Sequence, residues 1–234
     1  MKLESELSNY KMTDATKQLI NKTKLLLIAS VTGGGKDTIV NELLKSDVFH
    51  LIVTHTTRKP RMNHGVWEKD GEDYHFISIE QANIMLDNRE FVEAKINHGN
   101  IYGTSVAEIK QAYDRSKIAV TDIDIQGVVE YLDVKPDTHA IFLLPSSVDT
   151  WLNRLQARYG KLEDHSEEID KRFQTAYNEI QYILSDDRFI LIINDDLDTT
   201  AQRVRGVVDG SINHSSEYAT SVAEHILDYL KTKI

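Results

Sequence analysis

The sequence predicts an α/β fold, three layers built around a parallel sheet, and three observations carry that expectation. Five short apolar runs, Leu25 to Ala29, Leu51 to Val53, Ile118 to Val120 continuing to Ile123, Ile141 to Leu144, and Phe189 to Ile193, lack the alternation of a half-exposed strand and read as strands buried on both faces. Helical patterns separate most of them, as in DTIVNELLK, SVAEIKQAYDR from residue 105 and VDTWLNRLQARYG from 148. Strand and helix in turn imply crossover connections and hence parallel pairing. Finally, 234 residues with 41% hydrophobic content suffice for one sizeable domain with a packed interior.

Taken in order, the first twenty residues read as an amphipathic helical addition, followed by the first strand and a glycine-rich turn into a helix. From His55 to about Thr104 the rhythm changes to shorter, half-alternating strands (YHFIS, EFVEAKI) around one helical piece (IEQANIMLDN), a small mixed insertion. From about Arg154 to Arg172 both charge signs are dense around a Tyr-Gly break, which predicts a mobile helical flap. Near the end, SEYATSVAEHILDYLKTK places Val222, Ile226 and Leu230 four apart on one helical face, a stripe expected to pack on the core.

Composition narrows the function. With 27 Lys and Arg against 37 Asp and Glu, the formal charge is −10, so the body should repel nucleic acid and anionic membrane, and any bound anion needs a local basic site. The absence of cysteine removes disulfides and cysteine-based metal sites, and the nine histidines show no ligand spacing. The start MKLESELSNYKMTDATKQL has no apolar signal-like core, and LLLIA is far too short to span a bilayer, so a soluble cytoplasmic protein is expected.

The stretch ASVTGGGKDT, residues 29 to 38, approximates the phosphate-loop pattern G-x-x-x-x-G-K-[ST], with Gly35 and Lys36 fitting, Ser30 in place of glycine and Asp37 in place of a hydroxyl. Three consecutive glycines after a buried strand let backbone N–H groups turn inward around a polyphosphate, the helix N-terminus adds partial positive charge, and Lys36 adds a full one. Ser30 is tolerable at the strand end if its backbone stays extended. Asp37 is the sharper change: a carboxylate either ligates Mg²⁺ more strongly than a hydroxyl or repels the phosphates. Thr38 keeps a hydroxyl one residue later.

Further along come THTTRKPR (54–61), DGEDYHF, FVEAKINHGNIYGT, TDIDIQG, VDTWLNRLQAR and INDDLD. In this order, and together with the loop, they closely resemble guanylate kinases from about Leu25 to Val208. The resemblance implies a P-loop kinase core with a parallel five-stranded sheet, an inserted mixed α/β GMP-binding subdomain and a helical lid. It divides a single domain, 1–234, into a core (about 20–53, 105–150 and 176–208), an insertion (about 54–104), a lid (about 154–175) and a C-terminal helical extension (about 211–234).

It also implies roles. Thr32, Gly33, Gly34, Gly35, Lys36, Asp37 and Thr38 would form the ATP loop, with Asn194 near the adenine. Thr54, Arg58, Arg61, Tyr74 and Tyr102 would hold the GMP phosphate, and arginine suits bidentate phosphate contact. Glu93 would read guanine with Thr104 and Asp122 as helpers, since a carboxylate accepts from N1–H and the exocyclic amine. Arg154, Arg158 and Arg172 would close over the transferring group, and Lys36 with these arginines would be catalytic. Asp37, Thr38 and Asp122 are the candidates for Mg²⁺, directly or through water. Asp124 shares the carboxyl edge of the sheet with Asp122. The implied activity is phosphoryl transfer from ATP to GMP, and to dGMP, by a monomer or homodimer.

Two alternatives follow from the same residues: a protein-interaction module whose loop has lost catalysis, or a kinase for another nucleoside monophosphate. Adenylate kinases resemble this chain in carrying Gly-Lys, a residue without a hydroxyl, then Thr. MNHGVWEKD, between Arg61 and Gly71, is longer than the usual link, and the flap is also extended.

Overall fold

The computed structural model describes residues 7, 10–63, 65–97 and 99–234. In chain order these form α1 (Asp14–Lys22), β1 (Leu25–Ser30), α2 (Lys36–Leu44), β2 (Phe49–Leu51), β3 (His55–Thr56), β4 (Met62–Asn63), β5 (Val66–Trp67), β6 (His75–Phe76), α3 (Ile79–Asp87), β7 (Phe91–Asn97) and β8 (Asn100–Ser105). They continue with α4 (Val106–Asp114), β9 (Ile118–Asp122), α5 (Ile125–Val134), β10 (His139–Leu144), α6 (Val148–Tyr159), a 3₁₀ turn (Leu162–His165), α7 (Ser166–Ile183), β11 (Phe189–Ile193), α8 (Leu197–Val208) and α9 (Glu217–Lys231). The expected parallel five-stranded sheet is present, in the order β11-β10-β1-β9-β2. No helix among the described residues is long and apolar enough to cross a membrane.

The chain divides into two compact units. The first holds the described residues up to Leu25 together with Asp47–Thr121, and the second holds Leu26–Ser46 and Asp122–Ile234.

The second unit is built on β1, β10 and β11, paired in parallel with Ile28 opposite Ile141 and Ile141 opposite Ile190. Leu26 to Ile28 and Ile141 to Leu144 are fully buried, so the unbroken apolar runs are explained by packing on both faces. Four of the helices that follow, α5, α6, α8 and α9, begin where a short polar side chain captures an orphan N–H, whereas α7 starts at His165 without one. Asp124 accepts from Gly127, Ser147 from Thr150, Asp196 from Thr199 and Ser216 from Ala219. The stripe Val222, Ile226, Leu230 is buried, and Tyr229 of α9 meets Phe173 of α7 edge-on at 6.1 Å. The Tyr-Gly break ends α6, with Gly160 at φ 81° leading into the 3₁₀ turn.

The first unit carries a four-stranded mixed sheet, β6-β3-β8-β7, and the separate hairpin β4–β5. Its core gathers Leu7, Ala82, Leu86, Phe91, Ala94 and Ile101. Helix α3 starts with a reciprocal cap between Ser78 and Gln81. The helix expected within the first twenty residues lies at Asp14–Lys22, and residues 1–6, 8 and 9 fall outside the described set.

Two boundaries differ from expectation. The strand expected at Leu51 to Val53 is β2, Phe49–Leu51, because the Val53 N–H donates to the buried Glu108 carboxylate at 3.1 Å instead of to a strand. Within YHFIS only His75–Phe76 form strand, after which Ser78 turns the chain into α3.

Candidate active site

In the second unit, the loop leaves β1 at Ser30 and closes at once, with the Gly34 N–H bonded to the Val31 carbonyl at 2.8 Å. Ser30 determines what can stand across the turn. A Cβ on Gly34 would lie 2.6 Å from the Ser30 Cβ and 2.8 Å from its Oγ, so the serine fills space that only glycine leaves open. Gly35 has φ +85°, and a Cβ there would fall 2.4 Å from the Asn194 amide nitrogen. Both glycines are therefore required by close approach, and at Gly35 also by backbone angle. Trp151 of α6 pins the same loop by donating its indole N–H to the Thr32 carbonyl at 2.8 Å.

Gly35 is the N-cap of α2 and supplies no side-chain hydrogen bond. The first-turn N–H groups of α2 thus lack the side-chain acceptor that Asp124, Ser147, Asp196 and Ser216 give their helices, which suits an anion at this end. Lys36 is half-buried and paired with Asp122, and it also reaches Asp37 at 3.3 Å. Burial by itself would lower the Lys36 pKa, but the carboxylates of Asp122 and Asp37 outweigh it and hold the ammonium charged. Asp37 and Thr38 are exposed on the first turn of α2.

Asn194, expected near an adenine, is 7% exposed and donates its amide N–H to the Gly34 carbonyl at 2.7 Å. Its side chain braces the loop, and its own carbonyl accepts from Arg154 Nη2 at 2.7 Å. The other terminal nitrogen of Arg154, Nη1, is buried with no hydrogen-bond partner among the described residues and lies 3.9 Å from the position of a Cβ on Gly35. An unpaired guanidinium nitrogen beside an uncapped helix start is costly unless an anion arrives. Arg158 is exposed, its guanidinium over Tyr159 at 5.6 Å, and Arg172 pairs with Glu168 at 3.3 Å on α7. Of the three expected arginines, Arg154 alone is brought to the loop within this unit's described contacts.

Glu179 of α7 was not anticipated. Its carboxyl is pushed up to about 7 by burial and then by the charge of Asp124, with Arg172 and Lys36 pulling the other way. A single glutamate inside a helix gives no sequence signal of that kind.

In the first unit, Arg58 follows β3 and is 8% exposed. Its Nε donates to the Tyr102 hydroxyl at 3.2 Å, and its guanidinium carbon lies 5.1 Å from the Tyr74 ring centroid. Tyr74 and Tyr102 stand edge to face at 6.0 Å. Arg58 also forms a two-pronged pair with Glu68, Nη1 to Oε2 at 2.7 Å and Nη2 to Oε1 at 2.9 Å. Glu68 Oε2 accepts the Arg61 N–H as well, at 2.8 Å. Glu68 lies in the long link between Arg61 and Gly71, just after the hairpin β4–β5. Sequence reading marked this link by its length and missed its one buried carboxylate. The Arg61 side chain is exposed and Thr54 is half-buried at the entry to β3.

Glu93 on β7 is half-buried and accepts the Thr104 N–H from β8 at 3.0 Å, and Thr104 is 1% exposed. Arg58, Tyr74, Tyr102, Glu93 and Thr104 are therefore carried by four neighbouring strands of one sheet or by the residues next to them. Asp122, expected as a helper of Glu93, belongs to the other unit, where it pairs with Lys36.

The family model described as guanylate kinase matches residues 22–211. The guanylate kinase of Clostridioides difficile (strain 630) is 36% identical over 212 residues, covering 90% of this chain and 99% of that protein. That of Schizosaccharomyces pombe is 34% identical over 196 residues, covering 82% and 94%. In fold, the chain is similar to the crystal structure of guanylate kinase from Anaplasma phagocytophilum, with a TM-score of 0.59 at 22% identity, covering 92% of this chain and 99% of the other. The matched span takes in the glycine loop, Arg58, Glu93, Arg154, Arg158 and Arg172 alike, and the chain belongs to the guanylate kinase family.

Proposed function

We propose that this chain transfers the γ-phosphoryl group of ATP to GMP, giving ADP and GDP, with Mg²⁺ accompanying ATP. The observation that carries the acceptor is the pairing, on one sheet, of a carboxylate held by a backbone N–H (Glu93 with Thr104) with a guanidinium flanked by two tyrosines (Arg58, Tyr74, Tyr102). The first suits the N1–H and amine edge of guanine, where adenine would present an acceptor to a carboxylate. The second suits a monophosphate. The second unit supports the donor: a glycine cradle, an uncapped helix N-terminus, Lys36, and the unpaired Arg154 nitrogen beside Gly35.

The GMP phosphate is already anionic, so no general base is required. One of its oxygens forms a bond to the γ-phosphorus as the bond from that phosphorus to the β,γ-bridging oxygen breaks. Lys36 and Arg154 neutralise charge on the phosphates, while Arg58, Glu93 and the tyrosines fix the acceptor, so the rate comes from alignment and electrostatics. Asp37, Thr38 and Asp122 are the oxygen donors suited to a hard cation, directly or through water. When bound, Mg²⁺ supplies further neutralising charge on the phosphates. Asn194 serves by bracing Gly34, and Arg158 and Arg172 complete the lid. On this reading the chain is one catalytic domain divided as the resemblance implies.

The test is ADP formation from ATP with GMP, AMP, CMP or UMP as acceptor, across a Mg²⁺ titration, in the parent and in Asp37→Ser. Turnover with GMP alone is the expected result, and a Mg²⁺ optimum that moves in Asp37→Ser would place Asp37 at the metal. Turnover with AMP or UMP and none with GMP contradicts the role given to Glu93. Activity in Asp37→Ser and none in the parent would identify a loop that has been switched off.

A further inference from the structure

The family match begins at residue 22, yet residues before it reach the strand that carries Glu93. The Tyr10 hydroxyl donates to the Phe91 carbonyl at 2.6 Å and accepts from the Phe91 N–H at 3.1 Å. One side-chain oxygen thereby engages both backbone groups of a strand residue, as a neighbouring strand would.

The contact falls where β7 departs from regular pairing. Phe91 stands opposite Ser105 and Glu93 opposite Thr104, so two steps on β7 answer one on β8, with the register shift between Phe91 and Glu93. The extra residue is Val92, whose side chain is buried at 2% exposure. A bulge of this kind bends its strand and re-aims the side chain that follows it. Here that side chain is Glu93, whose carboxylate accepts from the N–H of its register partner Thr104.

The contact is held from several sides. Leu7 belongs to the core cluster of Ala82, Leu86, Phe91, Ala94 and Ile101, and Tyr10 packs against it. The Tyr10 N–H bonds to the Leu7 carbonyl at 3.1 Å. Arg89, at φ 58°, lays its guanidinium over the Tyr10 ring at 5.3 Å and donates to the Lys11 carbonyl at 3.4 Å. Burial raises the Tyr10 pKa above its ordinary value despite the hydrogen bond at Phe91, so the hydroxyl keeps its proton at any working pH.

We infer that Tyr10 is a positioning residue for guanine recognition: its hydroxyl fixes the bulge between Phe91 and Glu93 and so sets the aim of the Glu93 carboxylate. The inference rests on the reading of Glu93 as the group that meets the base.

Tyr10→Phe removes the hydroxyl and keeps the ring in the core, so the fold should survive. Steady-state kinetics should show the KM for GMP rising about 3- to 10-fold, the effect of one or two net hydrogen bonds, with the KM for ATP and kcat at saturating GMP held within about twofold. The preference for GMP over inosine 5′-monophosphate, which lacks the exocyclic amine, should shrink, and Tyr10→Phe should add little to Glu93→Gln in the double variant. An unchanged KM for GMP in Tyr10→Phe alongside a raised one in Glu93→Gln overturns the inference and leaves the reading of Glu93 intact. An unchanged KM in Glu93→Gln overturns that reading, and the inference with it. Equal losses for GMP and ATP in Tyr10→Phe, or full additivity in the double variant, would mark a general weakening of the fold and overturn the inference.

Discussion

The glycine loop of the second unit and the Arg58 cluster of the first, each proposed to bind a phosphate, are built from different materials. In the second unit the proposed anion site is made of backbone: glycines that close approach requires, a helix start without a side-chain cap, and an asparagine bracing the loop. In the first unit it is made of side chains, and a carboxylate already sits on the guanidinium, with Glu68 paired to Arg58 at 8% exposure on both sides. Backbone donors are fixed once the chain has folded. A buried arginine must be compensated even when no ligand is present, and Glu68 does that. The loop is thus set in place by steric fit, and the proposed monophosphate site by an ion pair that, on that reading, an incoming phosphate would have to share.

The largest effect expected from this contrast is on the loop. Lys36→Ala removes the full charge that the backbone cradle cannot replace, and kcat should fall at least about 100-fold, as for loss of one transition-state donor. A fall of less than tenfold would mean that the backbone and Arg154 suffice.

Next comes Glu68→Gln, which leaves Arg58 buried with a weakened partner. Without ligand the variant should lose about 2–4 kcal/mol of stability, measured by urea unfolding. GMP should restore more of it than in the parent, because the phosphate now supplies the missing charge, so the GMP-induced rise in Tm should be larger. An equal rise in both proteins would show that the phosphate does not use Arg58.

The smallest effects separate the units by pH. Glu179 has a folded pKa of about 7, above the ordinary carboxylate value, so the fold holds its proton more tightly than the unfolded chain. Its contribution is fully present below the unfolded pKa and is lost as pH rises towards 7. Glu179→Gln should therefore gain on the order of 1–3 kcal/mol relative to the parent at pH 8, and far less at pH 4.5. His55, in the first unit, is lowered to about 4 by burial and then by His75, whose ring centroid is 4.5 Å away. The unfolded chain then takes up the proton first, so this contribution is present above the ordinary histidine value and is lost as pH falls from there towards 4. His55→Phe should remove that loss, a change of opposite sign with pH, read from the same unfolding curves. Parallel pH profiles in the two variants would contradict both assignments.

What the sequence made legible follows from how local each feature is. The buried strands, the glycine loop and the stripe Val222, Ile226, Leu230 are written in consecutive or regularly spaced residues, and each is present, with β2 alone shifted, to Phe49–Leu51. Ser30 looked like a departure from a pattern, and only its closeness to Gly34 across the turn shows the two to be complementary. Glu68, Glu179 and Tyr10 were invisible for a related reason. Each acts on a partner set by tertiary packing: Arg58 across a hairpin, Asp124 from another helix, Phe91 from eighty-one residues away. Even the misplaced end of β2 has this origin, since the side chain of Glu108 takes the Val53 N–H.

The central claim is that acceptor recognition resides in the first unit and phosphoryl transfer in the second, and calorimetric titration of GMP into the parent, Lys36→Ala and Glu93→Gln tests it most directly. The account predicts a Kd for Lys36→Ala within about twofold of the parent and a loss of at least about tenfold in Glu93→Gln, where a base-facing carboxylate is removed. Loss of GMP binding in Lys36→Ala, or parent-like binding in Glu93→Gln, would contradict it.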